Sequence, residues 1–418
     1  MFYDIITIRV YNITLKDVKR SFSMGMRLRE INKKEFENFC KQSNQDNFFQ
    51  SKYYAEIKRK EGYHTYFVGL DQNGNIRAAT MLISKNVTIF KKRMFYAPHG
   101  FIIDYKNIEL LSLFTTAIKE YIKAKKGIYI KIEPYLVLHD REFDGKLITG
   151  GLDNTKAISN LISLNWRQKK GEELEESFEP SFLYQLELKG KNEDELFKSF
   201  DPSLQEIIKR NETIGINVKK LDRNNYLKFL DIIENSSNIS DYLNIDKKNF
   251  KDIYNILNKH KIIDITIAEL DIDKYLTSTI NSKNNVRNNP NLEEQLNKQI
   301  ESIKTLQYKY GHKIMLGGII GIFYRREYMT LTTATIDKFN NFNPLTTLYW
   351  ETIKSSKKNS CEIYNFYGIG ESLEDNKKFE ELKKFSGKVI ELIGEFDFII
   401  NEFSYKQQMK KQANKHRY

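Results

Sequence analysis

A hairpin followed by a strand, a helix and another strand is predicted twice along this chain, and that repetition limits its fold more than any single motif does. The elements of the first pass are strands at 66–70, 78–84 and 92–97, a helix at 108–125 and a strand at 127–132. Asn73 and Gly74 lie between the first two strands, and an Asn-Gly dipeptide favours a tight hairpin turn. Strands that alternate with helices predict an α/β or α+β protein.

A second pass through the same order begins at residue 182. Its predicted elements are a strand at 182–188, helices at 192–213, 223–239 and 247–260, strands at 263–269, 313–324 and 328–334, a helix at 344–354 and a strand at 361–366. The two passes share the order of their elements and not their residues. Because such units recur in many proteins, the repetition alone supports a tandem fold only weakly.

A polar segment at 271–311 interrupts the second pass, and its tip at 281–290 is rich in helix breakers. Apolar residues after the tip keep a spacing close to a heptad: Leu292, Leu296, Ile300, Ile303, Leu306 and Tyr310. A second apolar strip before the tip could oppose them: Ile272, Tyr275, Leu276 and Ile280. We predict a short antiparallel helical hairpin that projects as an arm. The alternative is a pair of surface helices packed flat on the body.

The net charge limits the class of partner. Lys and Arg outnumber Asp and Glu by 67 to 55, which gives a formal net charge of +12. This surplus favours polyanionic partners such as RNA, phosphorylated substrates or an acidic membrane surface. The Lys-, Asn- and Ile-rich composition that AT-rich genomes produce explains the same surplus without any partner.

Cysteine usage and hydropathy point to a compartment. Cys40 and Cys361 are far apart and near no histidine cluster, which excludes a disulfide scaffold or a zinc site and fits a reducing environment. No apolar run reaches the ~18 residues that a membrane-spanning helix needs. Residues 1–10 lack the pattern of a signal peptide. We therefore expect a cytoplasmic protein, and its length predicts two to three domains.

Several segments, in their order and spacing, together resemble the motifs of the Fem aminoacyltransferases. They are Phe49-Gln50-Ser51-Lys52-Tyr53-Tyr54, Tyr96-Ala97-Pro98-His99-Gly100, Lys131-Ile132-Glu133-Pro134-Tyr135, and the paired segments 364–370 and 385–396. Tyr54 stands where the family usually has tryptophan, and His99 stands where it has arginine. The resemblance extends from about residue 27 to residue 403.

The resemblance implies two domains in tandem, each similar to the GNAT (acetyltransferase) fold. The implied organisation is an N-terminal extension at 1–25, a first GNAT-like domain at 26–165, a second at 166–270 and 312–403, the helical hairpin arm at 271–311 and a basic C-terminal tail at 404–418.

The resemblance also implies a reaction, the addition of an amino acid to the stem-peptide amine of a peptidoglycan precursor during cross-bridge formation. The donor would be aminoacyl-tRNA, and the precursor would be lipid-linked or UDP-linked. A neutral amine attacks the ester carbonyl, the oxyanion needs a positive or donor group, and the amine must lose a proton. Because the ester is already activated, positioning could supply much of the rate, and no metal or organic cofactor is required.

Five residues of the first domain become site candidates through the resemblance. Lys58 falls where a family lysine contacts the precursor's pyrophosphate, or it is a solvated lysine. Asp104 matches a family aspartate that could orient or deprotonate the amine, or it is a turn residue that caps the following helix. Tyr96 and Tyr105 could line the acceptor groove or lie in the core. Glu133, at a strand end, could contact ligand or serve the structure.

The second domain departs from the family pattern. Leu204 and Glu206 stand where the family has basic residues, and the nearest positive charges, Lys209 and Arg210, come about one turn later as substrate-binding candidates. A glutamate at a phosphate-binding position is repulsive.

The family's Phe-Lys pair supplies a lysine near the reacting carbonyl. Without a gap it aligns with Glu381-Leu382, and with a one-residue deletion it aligns with Leu382-Lys383. Lys383 is therefore the catalytic candidate and Lys384 its rival.

The basic tail could touch tRNA or the phosphates of an anionic membrane at the inner face of the cell, or could be a disordered solubilising end. The sequence leaves the oligomeric state open. Besides the transferase, two functions compete: a catalytically degenerate paralogue that binds a partner or a precursor, and a transferase that acts on a non-muropeptide acceptor.

Overall fold

The computed structural model describes residues 25–87, 91–169 and 180–415, which form two compact units. The first unit contains the described residues up to Asp140, those from Leu147 to Ser181 and those from Ile390 onward. The second contains Arg141–Lys146 and Phe182–Val389. The predicted N-terminal extension lies outside the described residues, except for Gly25.

The chain forms sixteen strands and thirteen α-helices among the described residues. The first half comprises β1 (Met26–Glu30), α1 (Lys33–Cys40), α2 (Lys52–Lys60), β2 (His64–Gln72), β3 (Asn75–Asn86), β4 (Arg93–Ala97), α3 (Ile108–Ala124), β5 (Gly127–Ile132), β6 (Val137–Asp140), α4 (Thr155–Ser163), β7 (Arg167–Gln168), β8 (Phe182–Glu187), α5 (Glu193–Ser199) and α6 (Pro202–Thr213). The second half comprises β9 (Ile216–Lys220), α7 (Lys228–Glu234), β10 (Ile239–Asp241), α8 (Phe250–Lys259), β11 (Ile263–Asp271), α9 (Ile272–Asn284), α10 (Pro290–Tyr310), β12 (Lys313–Tyr324), β13 (Glu327–Thr335), α11 (Pro344–Lys358), β14 (Ile363–Gly370), α12 (Lys377–Leu382), β15 (Lys388–Leu392), β16 (Phe396–Ile399) and α13 (Glu402–Lys415).

The first unit is built on a seven-stranded sheet in the order β1-β2-β3-β4-β5-β16-β7. Its β2–β3 hairpin turns between Gln72 and Asn75, as the Asn-Gly dipeptide predicts. Strands β4 and β5 are parallel because α3 crosses between them. The apolar stripe of α3 is fully buried against this sheet, and the side chain of Asn107 caps its first turn.

Strand β16, from the end of the chain, lies inside the first sheet and pairs with β5 and β7. We predicted that residues up to 403 belong to the second domain, and the structure differs because of buried charges. Lys131 of β5 and Lys169 lie 2.5 and 2.6 Å from a carboxylate oxygen of Glu395, and Lys169 lies 3.9 Å from Asp397. Burial alone would lower the pKa of Lys169, but the charges of Asp397 and Glu395 outweigh burial and raise it.

Helix α13 packs against strands β5 and β16 of the first unit. Tyr405 is buried edge-on against Tyr129, and its hydroxyl donates to Asp397 at 2.7 Å. The tail predicted at 404–418 therefore begins as a docked helix. Lys406, Lys410 and Lys411 are exposed on it, and His416 and Arg417 lie outside the described residues.

The second unit contains strands in the order β8-β14-β13-β12-β11-β9, and β10 adds to β13. Strands β13 and β14 are parallel and pair only over Glu327–Met329. Beyond that point β14 diverges from β13, and β10 pairs with β13 instead. Strand β8 lies beside β14, as β16 lies beside β5 in the first sheet. In the first sheet this neighbour comes from the end of the chain, whereas β8 is the first strand of the second pass.

Two helices predicted in this unit are shorter than the sequence suggested. The helix predicted at 192–213 breaks between α5 and α6, because proline disfavours a helical conformation at the residue before it and Asp201 caps a new helix at Pro202. The helix predicted at 223–239 is only α7, since Asp337 accepts the backbone N–H of Ser237 and the chain then enters β10.

Helices α9 and α10 form the predicted antiparallel hairpin. Gln299 donates to the hydroxyl of Tyr275 at 2.8 Å, and Gln307 donates to Asp273 at 2.6 Å, which fixes their opposite directions. At the base Ile303 is buried and joins the core of the second unit. From residue 280 to residue 302, a stretch the structure describes throughout, no side chain is buried. The hairpin is thus an arm rather than a pair of helices packed flat.

Loss of Lys169 tests the buried charges behind β16. Lys169→Met leaves Glu395 and Asp397 in a buried site without one cation, and we expect the free energy of unfolding to fall by about 3 kcal/mol. Urea unfolding with matched Lys52→Met, which removes a half-buried surface pair with Glu37 at 3.0 Å, measures the difference. Equal loss in the two variants would contradict a special role for this cluster.

Glu327, where β13 and β14 pair, makes stability depend on pH. Its carboxylate accepts from Asn365 at 2.7 Å, and burial raises its pKa to about 7. Between about pH 4.5 and pH 7 the folded state therefore binds a proton that the unfolded state has lost, so stability falls as pH rises, by up to about 3 kcal/mol.

Glu327→Gln should remove this slope and unfold at higher urea concentration than the wild type above pH 7, with little difference near pH 4.5. Glu374→Gln, on an exposed loop, controls for the loss of one negative charge. A wild-type slope that survives in Glu327→Gln would assign the titration to another group.

Candidate functional site

A groove of about 600 Å³ lies in the second unit, where the chain enters α6 and leaves α12. Its lining residues are Phe143, Ser199, Phe200, Asp201, Pro202, Glu380, Glu381, Lys383, Lys384 and Ser386. The groove thus contains the catalytic candidate Lys383 and its rival Lys384. Because the two lysines share one groove, either can serve a ligand bound there.

Backbone hydrogen bonds join the two sides of the groove. The N–H of Asp201 donates to the carbonyl of Lys384 at 2.8 Å, and the hydroxyl of Ser386 donates to the carbonyl of Ser199 at 2.5 Å. The side chain of Asp201 caps α6, and Ser386 adopts a left-handed conformation that ends the turn after α12. The segment that carries the lysines is therefore fixed to the start of a helix.

The side chain of Tyr184, in β8, contacts the backbone of the segments that form this groove. Its buried hydroxyl accepts the N–H of Gly387 at 3.0 Å and lies 3.4 Å from the carbonyl of Lys383 and 3.5 Å from that of Phe143. Burial raises the pKa of Tyr184, so the hydroxyl stays protonated and can donate. A side chain at Gly387 would meet the carbonyl of Gln185 at 2.3 Å, so only glycine allows this approach.

The charges of the groove nearly balance. Lys383 pairs with Glu380 at 2.7 Å and Lys384 pairs with Glu381 at 3.3 Å, and each lysine side chain is about one-third exposed. Such exposed pairs contribute little to stability, so a ligand anion can displace the glutamates at small cost. Both lysines are therefore available to a negatively charged or oxyanionic group.

The other basic candidates of this unit, Lys209 and Arg210, make their contacts outside the groove. The guanidinium of Arg210 donates to the carbonyl of Phe342 at 3.3 Å, and the ammonium of Lys209 lies 5.6 Å from the ring centroid of Phe197. Neither residue lines the groove. Leu204, which stands where the family has a basic residue, is buried in the core, and Glu206 is exposed on the same helix.

Lys58, in the first unit, is not a solvated lysine. Its side chain is 10% exposed and its ammonium lies 2.8 Å from Glu61. The same ammonium stands 5.1 and 5.8 Å from the ring centroids of Tyr54 and Tyr63. A phosphate could reach Lys58 only by displacing Glu61.

The remaining candidates of the first unit divide into core and surface. Tyr96 donates to Glu133 in a short hydrogen bond, and both side chains are buried. Tyr105 is a core residue, because its hydroxyl accepts the N–H of Phe101 and donates to the carbonyl of the same residue. Burial raises the pKa of Tyr105 well above its usual value. Asp104 is exposed and accepts the N–H of Lys106 at 2.9 Å, as a turn residue does.

The sequence interpretation missed Phe143, Phe200 and Asp201 as groove residues. Asp201-Pro202-Ser203 is a signal that could have revealed the helix start, since aspartate before proline favours an N-cap. Phe143 lies in a loop without periodicity, so no sequence signal marks it. Within the described ranges, no three His, Cys, Asp or Glu side chains come together as metal ligands.

Among the parts of the chain that the structure describes, none of the helices combines the length and apolar character needed to cross a bilayer.

Comparison with known proteins agrees with the motifs. The model of the FemAB family matches residues 31–412. The protein named aminoacyltransferase FemA from Staphylococcus aureus (strain bovine RF122 / ET3-1) is 25% identical over 416 residues, which cover 91% of this chain and 97% of FemA.

Solved structures confirm the predicted tandem GNAT-like fold. The crystal structure of FemX has a TM-score of 0.68 at 21% identity and covers 91% of this chain and 99% of its own. A tandem GNAT protein from the clavulanic acid biosynthesis pathway has a TM-score of 0.51 at 6% identity, with 90% and 99% covered. With the family model matched over most of its length, this chain belongs to the FemAB family.

Proposed function

We propose that this protein is an aminoacyltransferase that forms a peptide bond on a peptidoglycan precursor, with aminoacyl-tRNA as the donor. Its similarity to FemA over nearly the whole of both chains carries the proposal, because FemA is named an aminoacyltransferase. The groove beside Lys383 and Lys384 supports it, since two displaceable cations can face a developing oxyanion there.

In the proposed reaction the acceptor amine attacks the carbonyl carbon of the aminoacyl ester. A C–N bond forms, and the C–O bond to the tRNA 3′ oxygen breaks when the tetrahedral intermediate collapses. The amine gives up a proton and the leaving 3′ oxygen takes one. Lys383, or Lys384 in its place, stabilises the oxyanion, and a carboxylate or water takes the proton of the amine.

For the acceptor we propose phosphate recognition by Lys58. The ammonium of Lys58 would exchange Glu61 for a phosphate of the lipid-linked or UDP-linked precursor. A compact lysine charge suits a phosphate. Its partial burial would strengthen the new pair relative to one in open solvent.

A binding function without catalysis is the second candidate, and the residues of α6 favour it. Leu204 is buried and Glu206 is exposed where basic residues are expected, while both groove lysines are paired with glutamates. A degenerate paralogue would bind a precursor or a partner and transfer nothing. A transferase with another acceptor would use charged tRNA and leave muropeptide precursors unchanged.

A transfer assay tests the proposal. The protein is incubated with tRNA charged with labelled amino acids and with lipid-linked or UDP-linked pentapeptide precursor in separate arms. We expect label in one precursor, and a loss of kcat of roughly 100-fold in Lys383→Ala or in Lys384→Ala, because an oxyanion donor acts mainly in the transition state. Lys189→Ala, a surface lysine of the second unit, is the control.

The outcomes separate the three functions. Label in a precursor with one lysine essential supports the transferase and resolves the alignment of the Phe-Lys pair. Binding of precursor without transfer from any donor supports the degenerate paralogue. Consumption of charged tRNA by an added peptide or amine, with no label in either precursor, supports another acceptor.

A further inference from the structure

Phe143 presents an aromatic ring to solvent at the rim of the groove. It is 49% exposed, although its neighbours in the groove include the buried ring of Phe200. A half-exposed phenylalanine that lines a groove offers a flat apolar face to a ligand bound there. Phe143 is not among the site candidates that the resemblance to the family gave.

The ring is held in position by its loop. The guanidinium of Arg141 donates to the carbonyl of Gly145 at 2.6 Å, and the N–H of Glu142 donates to the carbonyl of Lys146 at 2.8 Å. Gly145 has a positive φ, and a side chain there would meet Leu373 at 2.7 Å, so the loop lies tightly against the unit. The hydroxyl of Tyr184 lies 3.5 Å from the carbonyl of Phe143, so these contacts fix the backbone that carries the ring.

The chemistry around this platform is that of a nucleobase site. A flat aromatic ring stacks on any base, and lysines beside it can meet the adjoining phosphates. Lys383 and Lys384 line the same groove, whose volume of about 600 Å³ is large enough for a nucleotide. We propose that Phe143 stacks on an unpaired base at the 3′ end of the RNA donor, and this inference rests on the proposed function.

The charge of the groove decides which interaction dominates. Its two lysines face three carboxylates, those of Glu380, Glu381 and Asp201, so phosphate attraction is weak there. Stacking must then supply most of the local affinity, and stacking depends little on salt, whereas phosphate contacts lose affinity as salt rises. This predicts different salt dependences for the aromatic and the lysine variants.

The test measures binding of a single-stranded RNA that carries no amino acid. The RNA has the 3′-terminal nucleotides of tRNA, with 2-aminopurine as its last base. Anisotropy gives Kd, and quenching of 2-aminopurine reports stacking. We expect Phe143→Ala to raise Kd by roughly 10-fold at both 50 and 300 mM salt and to abolish quenching, and Phe143→Trp to keep both. The effect of Lys383→Ala should shrink as salt rises.

Phe403→Ala, which truncates a phenylalanine that is 72% exposed in the first unit, is the matched control and should leave Kd unchanged. Thermal unfolding of each variant verifies folding, and Phe143→Leu keeps an apolar side chain without a ring. Quenching and Kd unchanged in Phe143→Ala, with RNA bound by the wild type and transfer intact, would overturn the stacking site alone. Absence of both RNA binding and transfer in the wild type would overturn the proposed function together with it.

Discussion

The buried ion cluster of Lys131, Lys169, Glu395 and Asp397 is the constraint on which the first unit depends. Burying charges is expensive unless each meets a partner, and the placement of the last strand brings Glu395 to both lysines and Asp397 to Lys169. That placement puts β16 between β5 and β7 rather than at an edge. The cluster therefore specifies register and neighbour more sharply than the apolar side chains of a four-residue strand could.

The groove of the second unit depends on a different kind of constraint, a close approach of backbones. Gly387 admits the hydroxyl of Tyr184, and that hydroxyl lies under the carbonyls of both Lys383 and Phe143. Segments that are far apart in sequence are thereby brought to one surface. The chemistry proposed for the groove follows from this arrangement, since a cation and an aromatic ring that line one groove can hold two parts of one ligand.

The sequence predicted those features that local rules govern. The Asn-Gly turn joins β2 to β3, and the helix predicted at 108–125 is α3, which packs on the core of the first unit. The motifs also identified the family and the tandem fold, because their order survives where single residues change. The pairing of β16 with β5 was missed, since contacts between distant segments leave no periodicity to read.

For the site candidates, the structure gives positions and contacts, and their roles stay predictions. Lys383 and Lys384 do line a groove, but Tyr105 is packed in the core and Arg210 makes its contacts outside the groove. A motif preserves which residue types occur, while burial and partners depend on side chains brought from elsewhere in the chain. Phe143 is the opposite case. No motif marks this half-exposed residue, and only the fold of its loop brings it to the groove.

The position of β16 has a consequence for how the protein is made. Strand β5 lies in the first third of the chain and its partner lies near the end. During synthesis the ribosome must therefore release nearly the whole polypeptide before the first sheet can be completed. Until then β5 exposes an unpaired edge together with Lys131, and the nascent chain is open to wrong pairing and to chaperones for most of its translation. This topology places the completion of the first sheet after the synthesis of the whole second unit.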